Sequence, residues 1–494
     1  MKILAAACLA TLALWPTARA ELGVNLDLMT DWSPAWTFVD GFKHARTWIP
    51  QYANGLENWN TGKSLDLHSD GNLRSLAPGQ AAAALMFWDL DGHYPGGDYT
   101  CVFEGTGDLE FRGAATVKTS SSGTYNVGVD PQKGGVILRI LRTDPADPIR
   151  NLRFFMPGFE DGEAIFHPAF LKILKPFKVI RFMNWQRTNS QPSGEWSERT
   201  KPGSLTQRSP QGVSLEYMVA LANTLEADPW FCMPHMANDD YIRNFAQLTR
   251  KLLNPSRKIY VEYSNEVWNG IFPQAKYARD CGQRLGLSSN PYEGQLRFYA
   301  QRSSDIFKIW EEVFGGPERL VRVLASQSEN PWTARTVLEW QDAYRGADAL
   351  AVAPYFGGRL GGSPESLNMS VAQILNVCRE DIIARHTKTR ENAALAKGSG
   401  LKLIAYEAGQ HLVGLRELQA PLAQVFMEAN EHAGMRELYE FDQKEWRKAG
   451  GELMVTYKLT GTYGSSGSFG LLRWQDQTME TAPKYLGFIE SPPF

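Results

Sequence analysis

Little in this sequence points to a metal, a phosphate-binding loop or a membrane. Eight histidines are scattered over 494 residues. None forms an H-E-x-x-H pair, so the spacing that holds a catalytic zinc is missing. No G-x-S-x-G elbow offers a serine nucleophile. No G-x-G-x-x-G or P-loop follows a strand-like run, which argues against a nucleotide-binding open sheet. The five cysteines fit no zinc pattern and are too few for a disulfide framework in a chain this long. Cys8 lies in an N-terminal apolar run. Cys101, Cys232, Cys281 and Cys378 read as small apolar residues, with one bridge at most. Lys and Arg number 51 against 54 Asp and Glu. That near balance leaves no basic footprint for nucleic acid or anionic lipid.

Long hydrophobic runs are also scarce. A membrane-spanning helix needs about 20 apolar residues, and the run Ile3 to Trp15 is shorter. It follows Met1-Lys2 and precedes Ala18-Arg19-Ala20, so residues 1–20 read as an export signal cleaved after Ala20. The expectation is a secreted or periplasmic protein that does not engage a membrane. Aromatic residues, by contrast, are plentiful, with 15 Trp and 18 Tyr. Their plainest use is in a core; they also suit the stacking of flat ligands such as sugar rings.

From Val179 onward, short apolar runs alternate with longer amphipathic stretches. The runs are KVIRFMNW (178–185), PWFCMPHM (229–236), KIYVEYSNE (258–266), RLVRVLASQ (319–327), ALAVAPYF (349–356), KLIAYEAGQ (402–410) and ELMVTYKLTG (452–461). Strand and helix in repeated alternation imply a parallel sheet. With ELGVNLDLMTDW (21–32) as a further strand the count is eight, which predicts an α/β fold of the (β/α)8 TIM-barrel type. Residues 64–157 break the pattern. They are rich in Gly, Asp and Thr with alternating apolar residues, and read as a small antiparallel β-sandwich inserted into the first β/α unit. The predicted organisation is a signal at 1–20, the start of the barrel at 21–63, the sandwich at 64–157 and the rest of the barrel at 158–494.

In such a barrel the chemistry sits where strands end. Glu266 ends the fourth strand and Glu407 the seventh. A strand-end Glu taken alone is as readily a structural salt bridge. Two in one barrel mouth match what glycosidic cleavage requires: one protonated carboxyl for the leaving oxygen and one ionised carboxylate for the anomeric carbon. Mutual repulsion separates the two roles. Asp239-Asp240 is read as the N-cap of the following helix.

The EYSNEVWNG block at 262–270, with Glu407 in LIAYEAGQ, resembles the clan A (β/α)8 glycoside hydrolases. It is especially similar to secreted bacterial proteins labelled cellulose-binding or cellulase-like. The resemblance spans roughly 21–60 and 160–490. It implies Glu266 as general acid/base, Glu407 as nucleophile, Asn265 as a ligand of the sugar 2-hydroxyl, and Arg181 as the cation that keeps the nucleophile ionised. It also implies that Tyr355 donates to Glu407 and that His235 fills the polar strand-three position, where a hydrogen-bonded core histidine is an equal reading. Asn184 and Trp185 beyond strand two, Trp268, and Tyr457 on strand eight complete the candidate substrate contacts. Clan members carry a Trp at the end of strand eight; here Tyr457 or Tyr463 would stand in. The Gly461–Gly470 loop reads as a mobile rim. The implied activity is retaining hydrolysis of a β-linked glucan or related plant polysaccharide, endo-acting, by a monomer without metal or cofactor. The rival is a non-catalytic carbohydrate-binding protein on a hydrolase-like barrel. Its partner would still be a polysaccharide or oligosaccharide.

Overall fold

The computed structural model describes residues 21–55 and 58–490. The export signal and Cys8 therefore lie outside the described residues. Eight parallel strands close a barrel: Leu22–Asn25, Val179–Arg181, Asp228–Met233, Ile259–Tyr263, Leu320–Ala325, Ala349–Val352, Lys402–Ala405 and Gly451–Thr456. Each coincides with a run singled out in the sequence. The strands are buried nearly throughout, as a parallel sheet covered on both faces demands.

Helices return the chain between them. Leu215–Leu225 links strands two and three, Asp239–Leu252 links three and four, and the 28-residue Val371–Gly398 links six and seven. The cap of the helix after strand three differs from expectation. Asn238 accepts the Tyr241 backbone N–H at 2.8 Å and is the N-cap. Asp239 and Asp240 occupy the first turn, where negative charge suits the helix dipole.

Between the first barrel strand and the helix Pro168–Leu174 lie two four-stranded antiparallel sheets. One orders Ile49–Tyr52, Gln80–Met86, Val136–Thr143 and Gly107–Gly113; the other orders Arg150–Phe155, Gly97–Glu104, Thr124–Val129 and Ala115–Ser121. The sandwich thus begins earlier than the predicted residue 64, because Ile49–Tyr52 forms an edge strand. Pro50 breaks its alternation, and an edge is where a strand tolerates proline. The sandwich has its own apolar core, joined by Trp36 and Trp474 from the barrel loops. Cys101, Cys232, Cys281 and Cys378 are all buried and unbridged.

Candidate active site

Strand register brings the polar residues together. Asn25 on strand one pairs with Arg181 on strand two, and Arg181 with Trp230 on strand three. Arg181 has no solvent exposure. Its guanidinium reaches Glu407 Oε1 at 3.1 Å, Glu262 Oε2 at 2.9 and 3.3 Å, Asn25 Oδ1 at 3.2 Å and Asn265 Oδ1 at 2.9 Å. Strand two therefore ends in a buried cation that ties strand one to the ends of strands four and seven. The Asn25 amide donates to the carbonyls of Tyr406 and Thr456, closing the ring across strands seven and eight.

Glu407 accepts the Tyr355 hydroxyl at 2.8 Å on its other oxygen. Glu266 accepts the Tyr406 hydroxyl at 3.0 Å and the Asn269 amide at 2.8 Å. Each acid is thus clamped by a tyrosine from another strand end, Glu407 from neighbouring strand six and Glu266 from strand seven across the barrel. The strand-four turn is unusual, because Ser264 and Glu266 both adopt left-handed backbone, with φ of 61° and 42°. Non-glycine residues enter that region at a cost of roughly 1–3 kcal/mol each, and such residues cluster at functional sites. The turn follows the end of strand four at Tyr263 and brings Glu266 within reach of the Tyr406 hydroxyl.

Burial pushes both carboxyls above the ordinary glutamate range. Glu407 rises to about 8; desolvation is the largest cause, Arg181 opposes it and the Glu266 charge adds to it. Arg181 thus fails to hold Glu407 low as the resemblance implied. Burial outweighs the cation, and Glu262, an acid on strand four with no solvent exposure, takes two of the guanidinium hydrogen bonds. Glu262 also accepts Trp230 Nε1–H at 2.9 Å, and its Oε1 is buried without a partner. Two acids sharing a site titrate as a unit, so the pair holds one proton until the pH passes about 8. The adjacent guanidinium favours ionisation of Glu407, which leaves that proton on Glu266.

Around Glu407 the side chains are aromatic. Tyr457 meets Tyr355 edge-on at 6.2 Å and Phe469 at 5.2 Å, and His411 meets Tyr355 and Phe469 at 5.5 Å each. Of the two tyrosines left open for strand eight, Tyr457 stands in this cradle. Tyr463 instead donates to the Gly470 carbonyl and lies over the Lys484 ammonium. The loop between is anchored, since Gln410 and Lys484 both donate to the Ser468 carbonyl.

Of the other candidates, Trp185, Asn184 and His235 fall outside the cluster, while Trp268 and Asn265 belong to it. Trp185 is 2% exposed and packs on Phe38 and Phe182, as core. The Asn184 amide donates to the Leu26 carbonyl at 3.0 Å, bracing the loop after strand one. His235 packs edge-on against Tyr277, is kept neutral by burial, and has a buried Nδ1 with no partner. Trp268 donates to the Tyr406 hydroxyl at 3.3 Å and so steadies the clamp on Glu266. The Asn265 amide is held by Asn189 at 3.1 Å, which leaves one N–H to offer. Among the described residues no His/Cys/Asp/Glu group could hold a metal ion, and no helix is long and apolar enough to cross a membrane.

Glu262, Tyr406, Asn269, Asn189, His411 and Phe469 were not read from the sequence. Tyr406 and Glu262 carried a signal, since each sits beside or four residues before a chosen acid. The others come from loops with no pattern.

No family description and no curated protein matches the chain. Solved structures similar to it include a family 51 arabinofuranosidase from Xanthomonas axonopodis pv. citri, at 10% identity and TM-score 0.39 over 60% of this chain and 61% of that one. A family 51 α-L-arabinofuranosidase from Bifidobacterium longum aligns at 11% identity and TM-score 0.42, over 66% and 67% of the two chains. An endo-β-1,4-mannanase from Cellulomonas fimi aligns at 11% identity and TM-score 0.35, over 64% of each. The chain spans less than two thirds of the Xanthomonas and Cellulomonas proteins. At such scores these likenesses do not bear on function.

Proposed function

We propose that the protein is a retaining glycoside hydrolase acting on a β-linked polysaccharide, exported from the cell. The observation that carries this reading is the pair Glu266 and Glu407: two carboxyls on separate strand ends of one barrel mouth, each held by a tyrosine, sharing one proton at neutral pH.

The chemistry follows from that proton. Protonated Glu266 donates to the glycosidic oxygen as the bond to the anomeric carbon breaks. Ionised Glu407 attacks that carbon and forms a glycosyl ester. Glu266, now a carboxylate, takes a proton from water, whose oxygen displaces Glu407 and releases the sugar. Tyr355 and Arg181 steady the Glu407 charge before attack and after release. The free Asn265 N–H faces the task of binding the sugar 2-hydroxyl, and the Tyr457–Phe469 cradle that of packing the ring.

The test is hydrolysis of a polysaccharide panel, with anomeric configuration followed by NMR. Retention is expected, and Glu266→Gln and Glu407→Gln should each lower kcat by at least about 10³-fold. Either variant keeping near-native turnover would overturn the assignment. A protein that binds glycan but never cleaves it would favour the carbohydrate-binding rival.

A further inference from the structure

Two of the most exposed aromatic side chains of the molecule stand together at one place. Trp32 is 44% exposed and Trp88 is 43% exposed. Trp32 belongs to the loop after barrel strand one, while Trp88 belongs to the sandwich, on the turn leaving Gln80–Met86. The Trp88 backbone N–H donates to the Asp31 carbonyl at 2.7 Å, so the two indoles are set on adjoining backbone from different domains.

The turn that carries Trp88 is held hard. Phe87 and Leu90 are buried on either side of it, and Phe87 stacks on Tyr94 at 4.7 Å. Phe87, Asp89 and Asp91 all take left-handed backbone, with φ of 56°, 58° and 48°. Three non-glycine residues in five positions hold this costly backbone. Its result is an indole pushed into solvent. Trp32 is fixed as well. Arg46 and Arg208 both pair with the buried Asp31, and the Arg208 guanidinium lies 4.6 Å over the Trp32 ring.

The site lies at the mouth end of the barrel. His93, a few residues past Trp88, stacks on Trp474 at 4.5 Å, and its carbonyl accepts the Trp36 indole N–H. Trp36 and Trp474 come from the loops after strands one and eight, at the same end as Glu266 and Glu407. Exposed indoles with carboxylates beside them suit a sugar chain. The flat C–H face of each ring packs on indole, and its hydroxyls find acceptors in Asp89 and Asp91.

We propose that Trp32 and Trp88 form an outer glycan-binding platform, built jointly by barrel and sandwich, that grips a polysaccharide strand running out of the barrel mouth. This rests on the reading of the mouth as a glycan site, and it gives the sandwich a part in substrate binding.

The experiment uses the full chain carrying Glu407→Gln, so that the probe survives. Native-gel retardation is measured with barley β-glucan, carob galactomannan and wheat arabinoxylan. At least one should retard the protein. Adding Trp88→Ala or Trp32→Ala should then raise the apparent Kd about tenfold, with Trp88→Phe in between and thermal melting unchanged. Equal retardation of all variants overturns the platform, as does a parent chain retarded by none of the three. Tryptophan-dependent binding by a protein that cleaves nothing sinks the catalytic reading and leaves the platform. Cleavage with tryptophan-independent binding does the reverse.

Discussion

The guanidinium of Arg181 makes two hydrogen bonds to Glu262, at 2.9 and 3.3 Å, and one to Glu407, at 3.1 Å. Its single positive charge is therefore divided between a carboxylate that faces the mouth and one that does not. Glu262→Gln removes the competitor and gives the cation to Glu407. The alkaline limb of the kcat/KM profile should then move down by about one pH unit, as a nearby charge shifts a carboxyl by roughly that much or more. A pH–rate profile that superimposes on the parent would sink this account of Glu262.

Activity should be bell-shaped in pH. The shared proton is lost above about 8, removing the general acid, so kcat/KM should fall with a limb near that value. The acid limb marks protonation of Glu407 as well. The measurement is initial rate against pH on a soluble polysaccharide.

The same shift has a stability consequence. The Glu266–Glu407 pair keeps its shared proton to about 8 in the folded chain, against 4.5 for an ordinary glutamate. Between those values the folded state binds more protons than the unfolded chain, so stability falls as pH rises through that window. Glu407→Gln removes a buried acid and should stabilise the protein at pH 8 by on the order of 2 kcal/mol, with little gain at pH 4.5. Thermal melting at the two pH values checks the sign: a larger gain at the lower pH contradicts it.

Tyr355→Phe deletes the hydroxyl that Glu407 accepts at 2.8 Å. A hydrogen bond to a charged group contributes about 1.5–3 kcal/mol, so kcat should fall roughly 10- to 100-fold. The limb near 8 should rise, because the ionised form loses a donor. A fall in kcat with no limb movement would point to a steric part for the ring.

Arg181→Lys keeps the charge and loses the fork. A lysine cannot reach Glu262, Glu407, Asn25 and Asn265 together. Buried carboxylates left short of partners cost about 3–5 kcal/mol. Denaturant unfolding should show a loss of that order, together with near-complete loss of activity.

The barrel was legible in the sequence because a parallel strand buried on both faces is a continuous apolar run, and seven such runs recur with helices between them. Glu266 and Glu407 were legible because each ends its run. Ile49–Tyr52 was missed because Pro50 masks an edge strand. Ala81–Ala84 is made of the strongest helix former, yet it lies in the fully buried strand Gln80–Met86 between Ile49–Tyr52 and Val136–Thr143. Local propensity loses there to packing.

Apolar periodicity alone determined the eight-strand alternation, the inserted β region and which acids stand at strand ends, since burial is written into side-chain type. Only the tertiary structure decided that Glu262 draws on the cation meant for Glu407, that Trp185 is core, and that Trp88 joins Trp32 across two domains. Charge sharing and platform building depend on distances between residues far apart in the chain, and no local pattern encodes a distance.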